Sequence, residues 1–354
     1  MIKRLTLIAS LILTILIIAC SSESDTQATF DVRQLRADLI NSIEQPTTAL
    51  FTQSIQDLNT AMVSFSNNIT VQTLQELKEN WKQAADAFSS IEPYNFGEVK
   101  SSNIQTSFYT WGADDNDINQ YIASTNPINQ ESINSFPTTR RGLSAIEFLL
   151  FELSEQETIN SFSDSRRIDY LIALGTNLVS KADAYKTLWE NTRNNFIENN
   201  QSGINGSINQ VVNQMYALLE DIKSLKIGQP AAIEETNSPD AELLQAEKSE
   251  YSLILIKKNI ESIKALYFGN SNGLDDYIFS KTSTNELNNK VSTTFTNIEN
   301  AISELNVPLK EAISSNQTEV QRLYDKIRDL LVLMKIDIAN ALSVTITVTD
   351  NDGD

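Results

Sequence analysis

Apolar residues in this chain recur at intervals of three and four almost throughout, and that period is the strongest constraint on what it can fold into. Leu50, Phe51, Ile55, Leu58, Met62 and Phe65 form one series, and Leu74, Leu77, Trp81, Ala84, Phe88 and Ile91 the next. A period near 3.6 gathers each series on one helix face and leaves the other face polar. Tyr170, Leu174, Leu178, Ala182, Tyr185 and Trp189 repeat the pattern, followed by Ile208, Val212, Met215, Leu219 and Ile222. Three further series run from Leu253 to Leu266, Leu287 to Ile302 and Val320 to Met334. Only 10 glycines and 7 prolines punctuate the 354 residues, which favours long helices over a turn-rich β fold. The expectation is an all-α chain of two antiparallel helical bundles. Pro46 is expected to separate a first short helix, about 31 to 45, from the second.

The longest interruption is the stretch 226–240, with Gly228, Pro230 and Pro239. It divides the chain into a first bundle over 29–226, a linker over 227–240, and a second bundle with its tail over 241–354. Near the end, Val344, Ile346 and Val348 alternate with threonines, a pattern compatible with a short C-terminal strand. Asp350, Asp352 and Asp354 open like a calcium loop but lack its later ligands and closing glutamate, so they read as a polar tail.

At the other end, Lys3 and Arg4 precede an uncharged apolar run, Leu5 to Ala19, that stops at the only cysteine. The run is too short for a comfortable bilayer span and reads as an export signal over 1–19. Ile17-Ile18-Ala19-Cys20 resembles a bacterial lipobox, which implies that Cys20 is lipidated and becomes the mature first residue. A lone cysteine has no intrachain disulfide partner, and several acyl chains give the stable attachment that one does not. Residues 20–28 are then a flexible tether. Ser21 stands where an aspartate would retain the chain at the inner membrane, so the expected location is the cell envelope, lipid-anchored at the outer membrane. The formal charge is −19, and loss of Lys3 and Arg4 with the signal makes it more negative by two. No basic run offers a footprint for phosphates, so nucleic acid is not an expected partner.

The chain has no histidine, and its cysteine is claimed by the anchor. A Ser-His-Asp triad and a cysteine protease are both excluded. So is haem held by histidine or cysteine, and an ordinary zinc hydrolase site is disfavoured. Any metal site would be made of oxygens, which suits a hard cation such as calcium or ferric iron.

Against that background the stretch RGLSAIEFLL, 141–150, stands out for a single carboxylate, Glu147, among apolar neighbours. Gly142-Leu143-Ser144-Ala145-Ile146-Glu147, running on into Phe148-Leu149-Leu150, resembles the signature of the imelysin family. That signature is glycine, any residue, histidine, two residues and glutamate, then an aromatic and two leucines. Ser144 stands where the family has histidine. Trp81 with Tyr94-Asn95-Phe96-Gly97, Trp111 with Asp117-Ile118, and Tyr170-Leu171 leading to Trp189 are similar to family segments in the same order. Asn213 leading to Lys226-Ile227-Gly228-Gln229-Pro230, then Ser249, Ser252-Leu253 and the terminal Asp352-Gly353-Asp354, continue the likeness.

The resemblance implies two helical bundles with the signature helix facing their interface. It also implies an envelope location, an association with iron or other metal uptake, and a peptidase label. Histidine and glutamate three apart on a helix share a face and could hold one cation. Serine offers only a neutral hydroxyl, a poor metal ligand and no base near neutral pH. Two readings of Gly142, Ser144 and Glu147 compete. In one, Glu147 is a structural carboxylate that needs a buried partner such as an arginine, or a raised pKa. In the other, Glu147 still helps bind a hard cation or small ligand between the bundles. The expected function is a non-catalytic binding protein in metal or iron uptake, with an ion or an envelope transport component as partner. The alternatives are a metallopeptidase and a structural lipoprotein with a vestigial site. Elsewhere, Asp114 to Asp117 reads as a solvated helix start, the tryptophans as core anchors, and Ser249 and Ser252 as caps unless they line the cleft between bundles.

Overall fold

The first apolar series folds as a helix over 32–67 (α1) and the second as Val71–Ile91 (α2), in a computed structural model that describes residues 30–110, 112–233 and 238–347. The export signal at 1–19, Cys20, the 20–28 tether, Trp111 and the terminal acidic run lie outside the described residues. The described residues from 32 onward group into one compact unit.

Pro46 does not end α1. A π-helical stretch, Leu39–Glu44, runs directly into Gln45–Asn67, and Pro46 sits in the first turn of that second segment. Proline lacks the N–H that would reach the carbonyl of Ser42, and Asn270 Nδ2 supplies the missing donor at 2.7 Å. Leu50 also departs from expectation. It is 69% exposed, because its neighbour Phe51 takes the inward position of the stripe.

Thr70 caps α2 by accepting from the Thr73 amide at 3.3 Å, so the chain reverses in a few residues and α1 and α2 pack as antiparallel neighbours. The long helix Ser165–Glu198 (α5) packs on α1. Gly175 permits that approach, since a Cβ there would lie 2.5 Å from Asn59 Oδ1. Between α2 and α5 the chain forms short helices, among them Asp115–Ala123 (α3) and the signature helix Gly142–Phe151 (α4). Trp81 and Trp189 are buried core anchors, as expected.

The helix Ser207–Asp221 (α6), with its π-helical continuation Ile222–Gly228, falls within the expected first bundle and packs both on 92–94 and on Gln317–Val332 (α9). The second bundle holds Ser252–Phe268 (α7), Glu286–Glu304 (α8) and α9. Helices α8 and α9 pack together, and α7 lies against α2, joining the two bundles. Lys226 fixes this joint from within. Its Nζ, 2% exposed, donates to Glu92 Oε1 and Oε2 at 3.2 and 3.1 Å and to Asn259 Oδ1 at 2.8 Å. Asn259 Nδ2 in turn reaches Ser89 O and Glu92 Oε2, each at 2.7 Å.

No short C-terminal strand is present among the described residues. Residues 344–347 are neither helix nor strand, and no neighbouring strand exists among the described residues to complete a ladder. Side chains of α6 take up the main-chain groups instead. No helix among the described residues is long and apolar enough to cross a membrane.

Candidate functional site

Helix α4 is buried along 142–150, as a helix apolar on every side must be. Its start is fixed by Gly142, which has φ +75° and whose absent Cβ would lie 2.5 Å from the carbonyl oxygen of Phe108. That closeness lets the Leu143 amide donate to the same carbonyl at 2.7 Å. Trp81 Nε1 donates to Leu143 O at 2.9 Å and Tyr170 Oη to Arg140 O at 2.5 Å, so α2 and α5 both grip the turn. The glycine of the signature is therefore required by the backbone alone.

One turn further on, Ser144 and Glu147 face a cavity of about 490 Å³. Ser144 is buried, and its hydroxyl turns back toward Arg141 O at 3.4 Å. Glu147, 5% exposed, is fully engaged. Oε1 accepts from both the amide and the hydroxyl of Ser249, each at 2.9 Å, and Oε2 accepts from Tyr109 Oη at 3.1 Å. No arginine answers the carboxylate. Burial raises its pKa, the bonds from Ser249 and Tyr109 pull it back in part, and the charge of Glu247 raises it again. Tyr109 is pushed well above the usual phenol range by burial and by Glu147.

The far wall is the segment 241–251, which enters the second bundle. It is held in place by charge. Lys248 Nζ binds Asp115 Oδ2 at 2.8 Å and Glu152 Oε2 at 2.5 Å, while Lys310 pairs with Glu247. Burial lowers the pKa of Lys248, but its two carboxylate partners outweigh that and leave it raised. Two residues of the segment, Ala246 and Glu250, have φ of +58° and +56°, a region costly for side chains other than glycine. The acidic cluster is a helix start, as expected. Asp114 accepts from the Asp117 amide at 2.9 Å, and Asp115 additionally reaches Lys248 across the cavity.

Sequence reasoning placed Gly142, Ser144 and Glu147 on one turn, and the structure brings Ser249 to them from 102 residues away. It missed Tyr109, for which periodicity gives no signal, and the Lys248 clamp. Among the described residues no group of three or more aspartate, glutamate or cysteine side chains is placed to hold a metal ion. Both Glu147 oxygens have donors and the Ser144 hydroxyl points at a carbonyl, so the pair as arranged does not fit a resident metal.

The imelysin family model matches residues 45–334. The chain belongs to the imelysin family. Within it, one curated relative is the iron-regulated protein A of Synechococcus elongatus, 24% identical over 194 residues. That match covers 52% of this chain and 50% of the relative, so the chain spans about half of that relative's length. The crystal structure of an imelysin-like protein from Psychrobacter arcticum superposes with a TM-score of 0.74 at 17% identity, covering 89% of this chain and 96% of that one. At that identity the likeness shows the all-helical fold alone.

Proposed function

We propose that this imelysin-family chain is a non-catalytic binding protein of the cell envelope, lipid-anchored through Cys20 at the outer membrane and associated with iron or other metal uptake. The observation that carries the reading is the state of the signature pair. Glu147 is bonded by three donors and Ser144 by none that could activate it, so neither a base, a nucleophile nor a metal ligand is poised there. The printed name of the Synechococcus relative supports the link to iron. Iron or another hard cation enters this reading as cargo, brought into the cavity with its own ligands or passed from a transport component. Lys248, Lys310 and the carboxylates beside them supply charges of both signs for a polar guest.

The test uses the chain lacking residues 1–20, titrated with ferric citrate and with calcium and assayed for cleavage of unfolded protein. The expected result is saturable uptake of one probe, abolished by Ser144→Phe, which fills the cavity, with no cleavage. Cleavage that disappears in Glu147→Gln overturns the non-catalytic reading in favour of a metallopeptidase. Failure to bind either probe overturns the uptake reading in favour of a structural lipoprotein.

A further inference from the structure

Away from the signature cavity, helix α6 holds the C-terminal segment in an unusual way. Asn209 Nδ2 donates to Thr345 O at 3.1 Å while the Thr345 amide donates to Asn209 Oδ1 at 2.9 Å. One turn on, Asn213 Nδ2 donates to Thr345 O at 2.8 Å, and Asn213 Oδ1 accepts from the Thr347 amide at 2.7 Å. It also accepts from the Thr347 hydroxyl at 2.9 Å. A side-chain amide has the donor and acceptor of a peptide group, so each asparagine stands in for one residue of a pairing strand. The two lattices match. Four residues of helix rise about 6 Å, and two residues of strand rise about 6.7 Å, so asparagines four apart meet alternate residues of an extended chain.

Apart from the Val344 amide, which donates to Ala339 O at 2.8 Å, little else among the described residues holds the segment. Thr345 and Thr347 are exposed, and Val344 and Ile346 are only half-buried, so recognition falls on the main chain. Asn209 itself is 5% exposed, a pre-set amide in the helix wall. Thr347, Asn209 and Asn213 also line a cavity of about 460 Å³ whose walls carry further amides, Asn95, Gln210 and Gln214.

The geometry points to a second binding site, in which the Asn209–Asn213 ladder recognises the main chain of an extended peptide and the chain's own residues 344–347 are its resident occupant. The tail leaves the last helix through Ser343, whose φ of +55° sets the direction of exit, and it lies in the site as an internal competitor. An extended segment of another protein binds only when the tail is out. Because the ladder reads N–H and C=O groups, the ligand class is set by extension and by free amides at alternate positions, and weakly by side chains.

The test keeps the full chain and disables the tail in place. Thr345→Pro with Thr347→Pro removes both amides that the ladder reads. A labelled peptide of sequence SVTITV, matching 343–348, is expected to bind this variant at least about tenfold more tightly than it binds the native chain, whose tethered tail competes at high effective concentration. N-methylation of the peptide at either threonine is expected to abolish binding, and N-methylation at its isoleucine to leave it intact. Asn209→Ala with Asn213→Ala, added to the proline variant, is expected to remove binding as well. In the native chain, amide exchange is expected to be slow at Thr345 and Thr347 and fast at Ile346, a readout that does not depend on the variants folding. Equal binding to native and variant chains, or equal loss on methylating the isoleucine, overturns the proposal. Fast exchange at both threonines does the same.

Discussion

Two buried charges join the first bundle to the second, and they are solved in opposite ways. Lys226 meets a full counter-charge in Glu92, with Asn259 completing both partners. Glu147 meets only neutral donors, Ser249 and Tyr109, and its pKa rises. The first is a closed ion pair whose removal leaves a charge stranded. The second is a carboxyl that can take up a proton and keep its place. The difference shows which joint is fixed and which retains the form of a site, since only Glu147 borders a cavity lined by charges of both signs.

The largest effect is expected from breaking the closed pair. Lys226→Met should destabilise the fold by about 3–5 kcal/mol, because Glu92 loses its counter-charge in a largely enclosed position and keeps only the Asn259 amide as a donor; urea unfolding measures it. Gly142→Ala comes next, at about 3 kcal/mol, from positive φ combined with the overlap on Phe108 O. Its midpoint should fall without change in the slope of the urea transition.

Glu147→Gln should cost about 1–3 kcal/mol, since an amide cannot accept at both oxygens and one donor is left unsatisfied. The sign of its pH dependence follows from the raised pKa. A carboxyl whose folded pKa lies above its ordinary 4.5 contributes stability that is fully present below that value and lost as pH rises through the folded pKa. The penalty of Glu147→Gln should therefore shrink with rising pH. Unfolding of both chains at pH 5 and pH 8 measures the change. Ser144→Ala should do least, within about 0.5 kcal/mol, because its hydroxyl makes only the long contact to Arg141 O.

Much of this architecture was legible in the sequence because burial follows the helical period. From Leu74 to Ile91 every residue of the expected stripe is buried, and so is every one from Tyr170 to Trp189. Gly142 was legible as part of a motif, but its reason was not, since the carbonyl it makes room for belongs to Phe108. Glu147 could be seen to need a partner, yet Ser249 and Tyr109 lie on segments 102 and 38 residues away and carry no spacing signal. Pro46 and the tail misled for a related reason. A proline can stay in a helix when a distant asparagine serves the freed carbonyl, and a β-like alternation needs a partner strand that the described residues do not provide.

The central claim is that Glu147 is tied to Ser249 rather than to a metal, and a double-mutant cycle of Glu147→Gln and Ser249→Ala tests it most directly. Run by urea unfolding with and without a chelator, the cycle should show a coupling of about 1 kcal/mol, the same in both conditions. Additivity within about 0.3 kcal/mol, or a coupling that appears only when metal is present, would contradict it.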